Sequence, residues 1–209
     1  YERIKKILPR VDVVVTCPDY PDDYAHRSLW LSESVTNIER TLMSVLKCVD
    51  WYPDVPWLIP VQGWYRRPES LLISLEYYDQ LGILDRYSYV AVANLCVETS
   101  GTIIAKGVKY VHHWLVQHGY RSHRIHVFGM KIGALHRVRT AVWSFDSTAW
   151  TRPLTGKLCR RGKWSAKNEA ERELYFCVYL HRLYTHHGVW IPEKTMRWCD
   201  ENTEYRSYV

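Results

Sequence analysis

The 209-residue sequence predicts an α/β protein: a (β/α) TIM-type barrel, allowed to be incomplete at its N-terminus, with a C-terminal helical extension. Three observations predict it. Five short, Val-rich runs recur along the chain, helical patterns lie between them, and each run ends on polar residues. Strand alternating with helix implies parallel pairing and right-handed crossovers. At this length one core is expected, so residues 1–209 are read as a single domain. Within it, 1–150 hold the barrel units, and 151–209 hold a basic loop, a long helix and a tail.

The first run, VDVVVTCPD (11–19), is apolar through its length and ends on Asp19. A helix is expected over 32–49, where Val35, Ile38, Leu42, Val45, Leu46 and Val49 keep helical spacing and Ser32 or Ser34 can serve as N-cap. WLIPVQGW (57–64) follows as the second strand. Pro68 is suited to the first turn of the next helix, 68–81, whose apolar set is Leu71, Leu72, Leu75 and Tyr78. YSYVAVANLC (87–96) is the third strand; the helix after it carries Ile103, Ile104, Val108, Val111, Leu115 and Val116 and is closed by Gly119. RIHVFGMK (124–131), a short connection over 132–138, and TAVWSFDS (140–147) complete the series, and a long helix is expected over 166–187. The runs are apolar on both faces, as buried parallel strands are.

Composition narrows the function classes. Apolar residues make up 47% of the chain and charged ones 24%, which supplies a core and excludes a disordered tail. The net charge of +6 favours an anionic partner such as nucleic acid, and 10 Trp and 16 Tyr against 3 Phe supply rings that stack and carry a polar handle. No run of 18 apolar residues and no signal-like start occur, so a cytoplasmic protein without membrane association is expected. Six cysteines lie without CxxC spacing and are expected as reduced thiols.

A barrel collects the ends of its strands on one face, where that fold keeps its chemistry. Those ends carry Asp19, Gln62 with Gly63, Asn94, Lys131 and Asp146. Taken singly, an acid at a strand end commonly caps the next turn. Taken together, one carboxylate can attack an anomeric carbon while a second handles a proton, a pairing that Asp146 and Asp19 could form. A Gln amide and an open backbone N–H can donate to a purine carbonyl while a carboxylate accepts from its N1 and exocyclic amine hydrogens.

The segments CPDYP, PVQGW, VAVANLC, HVFGMK and SFDSTAW, in that order over residues 11–150, resemble those of the guanine transglycosylases. HVFGMKIGAL and SFDSTAW are most similar to the branch of bacteria and phages that acts on DNA, placing a 7-deazaguanine of the preQ0 type. The resemblance implies a barrel and a covalent glycosyl-aspartate intermediate. It makes Asp146 the nucleophile toward C1′ of deoxyguanosine, Asp19 a grip on the base, and Gln62, Gly63 and Asn94 parts of the base pocket; Asp19 as the second catalytic acid and Lys131 as a further base contact are expected from their strand-end positions. The family's Gly-Gly-Leu is Ala93-Asn94-Leu95 here, so a side-chain amide stands in for an open backbone. The tRNA enzymes' zinc cluster has no counterpart after Asp146. Cys159, Cys177, His181 and His186 are the residues that could gather a metal, but zinc is disfavoured and no cofactor is called for. The family's DSGGF-like acid segment is also absent; either residues upstream of Tyr1 supply it, or Asp12 or Asp22 takes over the proton work.

A nucleophile for C1′ needs a flipped or single-stranded guanosine, at an unstacking cost of about a few kcal/mol. Arg152, Lys157, Arg160, Arg161 and Lys163, interleaved with Trp150 and Trp164, follow Asp146 closely and are read as phosphate contacts. Arg66, Arg67 and His136 are further candidates. The expected partners are DNA, the 7-deazaguanine base and a protein that prepares the DNA. A tRNA-acting enzyme, a non-catalytic nucleic-acid-binding subunit on the same barrel and a sugar-processing barrel are the alternatives.

Overall fold

The computed structural model describes residues 13–21, 35–95, 98, 100–147 and 169–208. The chain divides into two compact units: residues up to Met130 with Arg137–Asp146, and Lys131–His136 with the residues after Asp146.

The first unit is a curled, all-parallel sheet of five strands: β1 (Val15–Thr16), β2 (Trp57–Val61), β3 (Tyr89–Val92), β4 (Arg124–Val127) and β5 (Ser144–Phe145). Their spatial order is the sequence order. A parallel sheet whose strands follow one another in sequence order, without a reversal, has the strand order of a barrel wall and not of a doubly wound sheet. Five strands make part of such a wall; a closed barrel is not formed by them. In the centre, all five residues of β2 are buried, and so are Val90, Ala91 and Val92 of β3. The ladders are shorter than the apolar runs because each run leaves the sheet at its carboxyl end, and those departing residues carry the polar groups.

Pro60 sits in central β2 without breaking it. The carbonyl of Leu58 still accepts from Cys17 N–H at 3.1 Å, but β1 pairs no further. The Pro60 carbonyl, on that same side, accepts instead from the hydroxyl of Tyr78 at 2.7 Å. The missing N–H of proline thus falls where the ladder has already ended.

Helix α1 (Asn37–Trp51) is capped by Thr36, not by Ser32 or Ser34, which lie outside the described residues. Thr36 and Glu39 form a reciprocal capping box. The buried stripe is Ile38, Thr41, Val45 and Val49; Leu42 and Leu46, expected in it, are only half-buried. Thr41 takes an apolar position because its hydroxyl accepts the Tyr20 N–H at 3.0 Å, and Asn37 donates to the Pro21 carbonyl at 3.1 Å, so α1 holds the loop after β1. After β2 a 3-10 turn (Pro68–Ser70) begins at Pro68 and leads into α2 (Leu71–Gln80) and α3 (Ile83–Arg86). Helix α4 (Gly101–Gln117) buries Ile104, Val108, Val111 and Leu115 and ends at Gly119, whose φ of +92° is the left-handed stop expected there.

The second unit contains α5 (Ile132–Leu135), α6 (Glu169–His187), α7 (Glu193–Asn202) and a final 3-10 turn (Tyr205–Tyr208). Helix α6 is the long helix expected, and α7 occupies the tail for which the sequence predicts no element. Cys177 and Cys199 are joined in a disulfide with their Cα atoms 5.5 Å apart, which corrects the expectation of reduced thiols for these two. Both are fully buried between α6 and α7. The tail is pinned by Asp200, which accepts from Tyr205 Oη at 2.8 Å and from both Nε and Nη2 of Arg206; the arginine holds its carboxyl down at about 2. No described helix is long and apolar enough to cross a membrane.

Candidate active site

Four of the five strand ends in the first unit bring their polar residues to one edge of the sheet. Gln62 follows β2 directly, and its side chain is completely buried. An amide in that position must have partners. Its Nε2 donates to the Tyr20 carbonyl at 2.7 Å and reaches Asp19 Oδ2 at 3.4 Å, while its Oε1 accepts the Gly63 N–H at 3.1 Å. Asn94, just past β3, donates from Nδ2 to the Gly63 carbonyl at 3.0 Å and holds a left-handed φ of 60°. Asp19, Gln62, Gly63 and Asn94 are therefore one hydrogen-bonded series across three strands.

Both the Gln62 amide and the Gly63 N–H are used inside the fold, so their immediate role is to set the loops around the edge. Gly63 is also sterically required: a Cβ there would lie 2.9 Å from Ser70 Oγ. Ser70 Oγ in turn accepts the Trp64 N–H at 2.7 Å, which tightens the turn carrying Arg66 and Arg67. Arg66 adopts a φ of 58°, unusual outside glycine, and its guanidinium lies 5.3 Å from the Tyr65 ring, with Arg67 lying 5.9 Å from Trp64. Two exposed arginines interleaved with two aromatics thus stand immediately beyond β2.

Burial pushes the Asp19 carboxyl above its usual range, with the Gln62 amide pulling partly the other way. A half-buried acid of this kind is suited to carrying a proton. Asp146 is in the opposite environment, exposed at the end of β5. Its N–H donates to the Val127 carbonyl at 3.2 Å, continuing the β4–β5 ladder. The next bond of a regular parallel ladder would run from Gly129 N–H to the Asp146 carbonyl. Instead Met130 N–H takes that carbonyl at 2.9 Å, and Gly129 N–H donates to Oδ1 of the Asp146 carboxylate. Gly129 makes the diversion with a φ of +65°. A backbone donor in the HVFGMK segment therefore fixes the carboxylate of the SFDSTAW segment.

Two residues of this edge were not singled out from the sequence. Glu98 is buried, accepts the Ser100 N–H at 2.7 Å, and lies 3.9 Å from Arg66 Nε, in a cleft with Gly63, Arg67 and Asn94. Nothing in its local sequence distinguishes it from a solvated acid. His126, on β4, has its Nδ1 2.8 Å from Ser144 Oγ; a period-two reading of the strand could have placed it beside its neighbours.

Lys131 and His136 belong to the second unit, where they flank α5 as its N-cap and C-cap. Cys177, a residue considered for metal binding, is consumed by its disulfide, and no group of three or more His, Cys, Asp or Glu suited to a metal occurs among the described residues. Arg152, Lys157, Arg160, Arg161, Lys163, Trp150, Trp164, Cys159, Asp12 and Asp22 lie outside the described residues. No protein-family model, curated protein or solved structure matches the chain.

Proposed function

We propose that the protein is a DNA guanine transglycosylase that replaces guanine by a 7-deazaguanine through Asp146. The observation that carries this reading is the diverted Gly129 N–H, which orients a carboxylate at the carboxyl edge of a parallel sheet when a routine ladder bond was open to it. A donor on Oδ1 leaves Oδ2 to attack C1′. The C1′–N9 bond then breaks, its electron pair passes to the departing guanine, and the guanine takes a proton. In the second half, N9 of the incoming base attacks C1′, releases its own proton and displaces Asp146. Asp19, with its raised proton affinity, is the group to carry these protons, and the exposed Arg66 and Arg67 are the proposed phosphate contacts.

Labelled guanine should exchange into single-stranded DNA and not into tRNA, and Asp146→Asn should abolish both exchange and the covalent adduct. Uptake into neither polymer would sink the reading; uptake into tRNA alone would convert it to the tRNA-acting enzyme. The internal use of the Gln62 and Gly63 donors favours a second reading, a nucleic-acid-binding subunit without chemistry. That reading gains if Asp146→Asn binds DNA as the wild type does and neither forms an adduct.

A further inference from the structure

The β4–β5 register sets His126 opposite Ser144. Side chains two apart on a strand share a face, so Ser144 and Asp146 project together, and in-register His126 joins them. On its other side His126 faces Ala91 of β3, an apolar partner without a hydrogen-bonding side chain. Along its own strand the ring meets the edge of Phe128, with centroids 5.2 Å apart. The imidazole is thus confined by Ala91 and Phe128, hydrogen-bonded through Nδ1 to Ser144, and directed with Ser144 to the side of the sheet that bears Asp146. Asp146 is the charged group among the first unit's described residues whose field acts on it.

We propose that His126, anchored by Ser144, is a positioning residue for Asp146: it holds the imidazole beside the carboxylate so that the attacking oxygen keeps its direction while Gly129 N–H restrains the other. The inference rests on the transglycosylase reading and deepens it. Two restraints from two sources explain why a carboxylate exposed to solvent can be aimed at all. Gly129 fixes one oxygen through the backbone, and His126 limits rotation about the remaining axis. Burial also lowers the proton affinity of His126, partly countered by Asp146, so the ring stays neutral and forms no competing ion pair with the nucleophile.

The test measures covalent adduct formation in a single turnover with a guanine-containing single-stranded oligonucleotide, alongside the Kd for the same oligonucleotide. His126→Phe keeps the ring's bulk and removes its nitrogens. It should slow adduct formation by about tenfold to a hundredfold, the scale of losing one orienting contact, with Kd unchanged. His126→Gln, whose amide reaches the Nε2 position, should recover much of that loss, which a packing role alone would not produce. Ser144→Ala removes only the anchor, should fall between, and decides the matter if His126→Phe does not fold. Adduct formation at the wild-type rate in both His126→Phe and Ser144→Ala would overturn the role of His126 while leaving the transglycosylase reading intact. A wild-type protein that forms no adduct overturns both.

Discussion

A methyl group added at Gly63 would lie 2.9 Å from Ser70 Oγ and 3.0 Å from Leu71 Cδ2, and Ser70 is itself held by its bonds to Trp64 N–H and the Arg67 carbonyl. Neither neighbour can withdraw freely, so Gly63→Ala should destabilise the protein by about 1–3 kcal/mol, the cost of overpacking. Urea unfolding checks this; an unchanged midpoint would show that the turn yields. Asp19 makes the opposite case. Its folded proton affinity is raised by burial, so the native state keeps a proton that the unfolded chain has already released. Its cost therefore appears as pH rises through the raised value and persists above it. Asp19→Asn, which can still accept from Gln62, should melt above the wild type at pH 7. The gap should close toward the ordinary carboxylate value, and exchange activity should fall at every pH. A gap that does not change with pH would mean burial of the charge is not the cause. From the sequence, Gly63 could be read as a turn and Asp19 as a site acid. What the sequence withheld was their connection, because the Gln62 amide that joins them bonds to residues 42 and 43 positions away.

At the scale of elements, what the sequence made legible depends on how local each cause is. β2 and β3 are visible as apolar runs because burial on both faces demands such a run. The ladder ends are not visible, since a residue stops pairing when its neighbour does. The start of α1 was within reach: of Ser32, Ser34 and Thr36, only Thr36 has an acid three positions on, Glu39, and that reciprocal pair is the cap observed. The tie between α6 and α7 was out of reach. Cys177 and Cys199 are 22 positions apart, and only the packing of α7 against α6 brings them together. A loop of that size implies about 3 kcal/mol of stabilisation by restricting the unfolded chain. Dithiothreitol, or Cys199→Ser, should therefore lower the melting temperature of the helical unit and leave that of the sheet unit where it was. The measurement is calorimetry with a probe in each unit, and equal loss in both would contradict it.

For the whole molecule, the excess of basic groups was legible by counting, whereas the response of the fold to pH was not, because it depends on which histidines become buried. Among the described residues, burial lowers the proton affinity of three: His123, His126 and His187. Two are restrained from falling further, His123 by the Leu84 carbonyl and His126 by Asp146, while His187 is lowered again by His186 and His136. The unfolded chain takes up protons on these residues near their ordinary value of 6.5, and the native state takes them up only at lower pH. Between those limits the unfolded state binds more protons, so stability falls as pH drops below 6.5. Each such residue contributes a slope below the limit of about 1.4 kcal/mol per pH unit, because solvent screens a group that is only partly buried. Asp19 acts with the opposite sign, but it is one group against three. Urea midpoints should therefore decline from pH 7 to pH 5, and His187→Gln should flatten the decline in the helical unit while His123→Gln flattens it in the sheet unit. A midpoint that holds or rises across that range would mean that the histidines titrate in the folded protein as they do in the unfolded chain, and that their burial exerts no control over its stability.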